Sequence, residues 1–157
     1  MLRDGYPAEI AARWGKYMID LKPLLDDSSV RELLSLCVGF PTPAKLEAIC
    51  EQYHTDDARS LLGIEENGHI IACIGFRLEA LHHAVINCIA VAPSHRCQGI
   101  GETLVQGIST QFQLQSLTAE TDSDAVGFYR NCGFEITSLG EVYPGTERFR
   151  CVLRPDA

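Results

Sequence analysis

Residues 89–104 read IAVAPSHRCQGIGETL. A β-branched apolar run ends at Pro93, a basic turn carries His95 and Arg96, and helical spacing restarts over Gly99 and Gly101. Glycine costs a helix interior about 1 kcal/mol relative to alanine, so two at a helix start mark a backbone that must bend or be approached closely. A strand, a glycine turn and a helix N-terminus in that order make a natural anion cradle. The first-turn N–H groups lack intrahelical partners, and the positive end of the helix dipole lies there. The bland alternative is that both glycines only let strand and helix pack tightly.

Downstream of this stretch, Ile100, Leu104, Val105, Ile108 and Phe112 recur at helical spacing. SLTAE (116–120) reads as a short strand and SDAVGFYRNCGF (123–134) as a helix, with Ala125, Phe128, Tyr129 and Cys132 inward and Gly133 as its stop. EITSLGE (135–141) and ERFRCVL (147–153) are strands about Pro144-Gly145, a type II turn pair. In the second of them Phe149, Cys151 and Leu153 alternate with Arg148, Arg150 and Val152. Upstream, AVINCIAVAP (84–93) is a strand, and SLLGIEENGHIIACIGFRLE (60–79) is a strand pair turned at Asn67-Gly68. Before it come two helices. DDSSVRELLSLCVG (26–39) has a Ser29/Glu32 capping box and stops at Gly39; TPAKLEAICEQYH (42–54) has Thr42 as N-cap and Pro43 as its first residue.

The order is strand, two helices, a three-strand antiparallel meander, helix, strand, helix, two strands. It implies a mixed α/β layered fold: a largely antiparallel twisted sheet of about six to seven strands covered by about four helices. Residues 1–157 read as one domain, with 1–16, Trp14 included, an N-terminal extension without an assigned element.

The net charge of −8 leaves no broad basic field, which argues against nucleic-acid binding. No apolar run approaches the roughly 20 residues of a membrane span, and no signal-peptide stretch opens the chain, so a cytoplasmic location is the default expectation. Seven scattered cysteines contain no C-x-x-C pair and suggest neither a metal site nor a disulfide framework; most read as small core residues.

Three phosphate-binding patterns compete for the glycine turn. A P-loop needs Gly-Lys-Ser/Thr, which GIGETL lacks. A dinucleotide fingerprint needs a small residue at Leu104 and a βαβ setting, and Glu120 as its acid; the preceding strands read as antiparallel. The third pattern, R-x-x-G-x-G over Arg96–Gly101 after a strand ending IAV-P, fits. With DAVGFYRNCGFEI (124–136) and the element order over residues 17–153, the chain resembles the GNAT superfamily of acyl-CoA-dependent N-acetyltransferases.

The resemblance implies acetyl transfer from acetyl-CoA to a primary amine, of a small molecule or a protein, without a metal; the alternative is an inactive CoA-binding sensor. It puts the pantetheine arm along Ile89, Ala90 and Val91, with an oxyanion donor near Val91. It wraps the pyrophosphate with Arg96, Cys97, Gln98, Gly99, Ile100, Gly101, Glu102 and Thr103. Tyr129 matches the tyrosine beside the coenzyme sulfur, where a phenol of pKa near 10 can protonate a leaving thiolate. Phe128 becomes part of the pocket wall. Where relatives carry a basic glutamate this chain has Val85, which leaves Glu79, His82, His83 or Asn87, or a water relay, as the general base. Where relatives carry an asparagine it has Asp122, a coenzyme contact or a helix cap. Tyr143, Glu147 and Arg148 border the acceptor side, Glu147 suited to an ammonium and Arg148 to a carboxylate. The resemblance also implies a homodimer, and the acidic chain disfavours an acidic acceptor.

Overall fold

The computed structural model describes residues 18–155; the N-terminal extension and Trp14 lie outside them. Seven strands form one sheet: β1 (Met18–Asp20), β2 (Arg59–Glu66), β3 (His69–Ala80), β4 (His83–Val91), β5 (Ser116–Asp122), β6 (Glu135–Tyr143) and β7 (Thr146–Leu153). Their order is β1-β2-β3-β4-β5-β7-β6, and every neighbouring pair is antiparallel except β4–β5. The helices are α1 (Ser28–Leu36), α2 (Pro43–Thr55), α3 (Ile100–Gln111) and α4 (Val126–Asn131). This is the mixed, mostly antiparallel architecture that the element order predicts.

Local chemistry accounts for most boundaries. Asn67 and Gly68, at φ 52° and 81°, make the left-handed pair that a type I′ hairpin between β2 and β3 requires. The Thr42 hydroxyl accepts the Lys45 N–H at 3.1 Å, and Pro43 opens α2. The start of α1 differs from the expected capping box. Asp27 is the N-cap, accepting the N–H groups of Ser29 and Val30, while the Ser29 hydroxyl donates to Asp27 and accepts the Ile70 N–H at 3.1 Å. A carboxylate at a helix start gains from the dipole as well as the hydrogen bonds, so it outcompetes the hydroxyl.

The Ser29 hydrogen bonds hold the Asp27 carboxyl below its ordinary range. A lowered folded pKa contributes stability above the unfolded value and loses it as pH falls. Asp27→Ala is therefore expected to melt at a lower temperature than the parent at neutral pH, with the gap closing toward about pH 3. Thermal melts of both proteins across that range check this.

Helix α4 is shorter than the sequence suggests. Asp122 Oδ1 accepts the N–H groups of Asp124 (3.0 Å) and Ala125 (3.1 Å), which turns 122–125 into a tight bend ahead of the helix. Gly133, at φ 93°, follows its end.

Two cores flank the sheet. One, with Ile74, Phe76, Ile86, Leu104, Ile108 and Leu117, lies under α3 and α4. The other, with Leu21, Leu33, Tyr53, Leu61 and Cys73, lies under α1 and α2 and draws only on the β1–β4 half of the sheet. Among the described residues no helix covers that face of the β5–β7–β6 half, along which Glu120 and Arg150 are exposed and Thr118 and Val152 half-buried.

Two irregularities prepare a site. Gly75 pairs with Cys88 but Phe76 with Ile86, so Asn87 is the extra residue of a bulge in β4. Strands β4 and β5 pair only at His83–Ser116, Ala84–Leu117 and Val85–Thr118, and beyond these they part.

Candidate active site

The gap between the parting strands is a cleft of about 570 Å³. Ile89, Ala90 and Val91 of β4 form one wall; Glu120, Thr121 and Asp122 of β5, with Arg148 of β7, form the other. Phe128 and Tyr129 of α4 close one side, and Leu36 and Cys37 from the end of α1 reach the other. Arg96, Cys97 and Ile100 bring the glycine turn to the mouth.

The turn is bent by two left-handed residues, Cys97 at φ 63° and Gly99 at φ 78°. Gly99 is the N-cap of α3 and no side chain caps that end, so the first-turn N–H groups keep their capacity to donate. Gly101 has a different reason to be glycine: a Cβ there would lie 2.7 Å from Phe128 Cε1. The missing side chain makes room for the Phe128 ring, which is the packing alternative realised at this one position. Arg96 Nε donates to the Val91 carbonyl at 3.1 Å, tying the turn to the strand end. His95 lines the mouth with Nε2 3.0 Å from Glu66 Oε1.

Tyr129 is buried between aromatic neighbours, with Phe128 and Phe134 edge-on at centroid distances of 5.2 Å each. Its hydroxyl makes no hydrogen bond among the described residues. Burial pushes the phenol above its ordinary value, because the phenolate would lose its hydration. The group stays a proton donor throughout the neutral range.

Of the residues singled out in the sequence, Ile89, Ala90, Val91, Arg96, Cys97, Ile100, Asp122, Phe128, Tyr129 and Arg148 line the cleft. Gly99 and Gly101 shape the turn behind it, and Gln98 is exposed beside them. Thr103 is buried, and its hydroxyl donates to the Gly99 carbonyl at 3.0 Å within the helix; Glu102, also outside the lining, follows in the same turn. Glu79 is exposed at the far end of β3, 3.4 Å from Arg77, and His83 Nδ1 lies 2.6 Å from the Ser116 hydroxyl where β4 and β5 are still paired. Neither is on the cleft lining. Tyr143 and Glu147 are exposed on the β6–β7 hairpin, with Glu147 accepting from Ser138.

Asn87 and Glu120 also line the cleft. Asn87, one of the candidate general bases, is a polar residue inside the apolar run VINCIAV. Glu120 carried no signal for this site, because only the antiparallel pairing of β5 with β7 and its parting from β4 aim it there.

Among the described residues no group of three or more His, Cys, Asp or Glu side chains could hold a metal ion, and no helix is long and apolar enough to cross a membrane.

The sheet splits beside an uncapped helix N-terminus, and a buried phenol lines the split; comparison with known proteins assigns the class. Residues 28–134 match the model of the acetyltransferase (GNAT) family, and the chain belongs to that family. An uncharacterized N-acetyltransferase in the lysA 3′ region of Bacillus methanolicus is 38% identical over 76 residues, which cover 48% of this chain and 63% of that one. The match thus spans less than two thirds of that relative. Among solved structures, an aminoglycoside 6′-N-acetyltransferase complexed with coenzyme A is similar with a TM-score of 0.70 at 16% identity, over 88% of this chain and 99% of that chain. The ribosomal-protein-S18-alanine N-acetyltransferase from Escherichia coli has a TM-score of 0.65 at 18% identity, over 89% and 94% of the two chains. At these identities the structural likeness speaks for the fold.

Proposed function

We propose that the chain is a single-domain N-acetyltransferase that moves an acetyl group from acetyl-CoA to a primary amine. The observation that carries the reading is the parting of β4 from β5 directly beside the uncapped start of α3, with Tyr129 on the wall of the gap. Family membership and a similar fold solved with coenzyme A support it.

The residues present fit such a cosubstrate. The first-turn N–H groups of α3 and the Arg96 guanidinium suit a pyrophosphate, and the bend at Cys97 and Gly99 lets the backbone approach it. Backbone groups of Ile89–Val91, facing the gap where β5 has left, suit the amides of a pantetheine arm. Acetyl-CoA supplies the activated thioester. The neutral amine attacks the thioester carbon, a backbone N–H near Val91 is assigned to the oxyanion, and the C–S bond breaks as Tyr129 gives its proton to the departing sulfur. The proton that the nitrogen sheds passes through water and restores the phenol. Arg148, half-buried on the lining, borders the acceptor end, with Tyr143 and Glu147 on the hairpin beyond it.

Calorimetric titration with acetyl-CoA, with NADH and ATP as controls, tests this. Selective micromolar binding of acetyl-CoA is expected, followed by thiol release in the presence of an amine. A folded protein that ignores acetyl-CoA would refute the assignment.

A further inference from the structure

On the face of the sheet that no described helix covers, the gap between β4 and β5 opens into a second hollow, of about 670 Å³. Asn87 and Glu120 line both hollows, so they stand where the two meet. The charged side chains on the second lining are Arg59, Arg150, Arg154 and Glu120. Three cations thus face one carboxylate, in a chain whose net charge is −8.

The arginines arrive from separate places, Arg59 at the start of β2, Arg150 within β7 and Arg154 just past its end. Their present partners hold them loosely: Arg59 is 3.6 Å from Asp56, Arg150 3.4 Å from Glu120, and Arg154 3.6 Å from Glu135. The Arg150 and Arg154 pairs are solvent-exposed and the Arg59 pair half-buried; exposed contacts of that length contribute little and are readily exchanged for an anion that guanidinium can grip in two places. The neutral part of the lining adds the hydroxyls of Ser116 and Thr118 and the Asn87 amide.

We propose that this hollow receives the acceptor, and that the acceptor is a small amine carrying an anionic group, a carboxylate or a phosphate. Its ammonium lies at the junction against Glu120 and Asn87, facing the acetyl-CoA cleft. Its anionic group lies among Arg59, Arg150 and Arg154. This rests on the acetyltransferase reading above and adds the chemistry of the second substrate. The acidity of the whole chain does not oppose it, because the field that a bound anion feels is set by the nearest charges.

Matched acceptors test it. Thiol release from acetyl-CoA is followed with amino acids against their decarboxylated amines, and with O-phosphoethanolamine against ethanolamine. The anionic member is expected to win by about tenfold or more in kcat/KM, the scale of a charge-assisted hydrogen bond, and the winning series tells carboxylate from phosphate. Arg150→Ala/Arg154→Ala should abolish the preference while acetyl-CoA affinity holds, and Arg150→Lys/Arg154→Lys should retain part of it. Neutral amines doing as well, or a preference that survives the alanine pair, overturns this inference alone. Acetyl-CoA binding with no turnover of any amine overturns the acetyltransferase reading and this one with it.

Discussion

Tyr129→Phe is expected to lower kcat by about a hundredfold or more, the usual scale for removing a general acid, while leaving the Kd for acetyl-CoA within about twofold. The substitution deletes one hydroxyl and keeps the ring between Phe128 and Phe134, so the packing of α4 survives. The hydroxyl has no hydrogen-bond partner to lose among the described residues, so the change leaves no buried group orphaned. Burial raises the phenol pKa, so the proton remains available at every pH up to about 10, and loss of activity below that pH should not trace to Tyr129. Steady-state rates with any accepted amine, beside calorimetry with acetyl-CoA, separate the two effects. An unchanged kcat would remove Tyr129 from the chemistry. A protein that binds acetyl-CoA but turns over nothing, before or after the change, would be a sensor.

Gly101→Val is expected to cost about 2 kcal/mol of stability or more, within the range for forcing bulk into a packed site. A Cβ at this position already meets the Phe128 ring at 2.7 Å, and the two further methyl groups of valine make the conflict worse. Phe128 is part of the cleft wall, so its displacement should weaken acetyl-CoA binding too. The double variant Gly101→Val/Phe128→Ala separates two explanations. Partial recovery of stability in urea titrations means that the glycine serves the ring. Weak binding without destabilisation, and with no recovery in the double variant, means that the missing side chain serves the phosphates directly.

Signals that act within a few residues were legible. Asn67-Gly68 makes the hairpin, Thr42-Pro43 starts α2, and Pro144-Gly145 turns β6 into β7, because each rests on backbone geometry that neighbours hardly alter. Signals that depend on competition are less legible. Ser29 has the right type for a cap, yet Asp27 lies two residues earlier with a charge as well as an acceptor. Asp122 draws its neighbours into a bend and shortens α4.

The site was legible as far as its motif extends: the turn, Ile89–Val91 and Tyr129. Beyond that it is assembled by strand order. Glu79 and His83 have apt chemistry for a base and are near β4 in sequence, but they lie where β4 is still paired to its neighbour, short of the gap. Glu120 reaches the gap only because β5 leaves β4 after Thr118 and continues beside β7. The overall charge averages over the surface in the same way and does not register the arginines gathered on one face of the sheet.

The split after Val85 and Thr118 has a mechanical consequence. The ladder from β2 through β3 into β4 is long, with bulges along it, whereas β4 and β5 share only a short seam at one end. The two halves of the sheet are thus like the covers of a book joined along part of the spine. A molecule that lies in the opening and bonds to both edges would supply the missing length of binding, so occupation is expected to stiffen the join between the two halves.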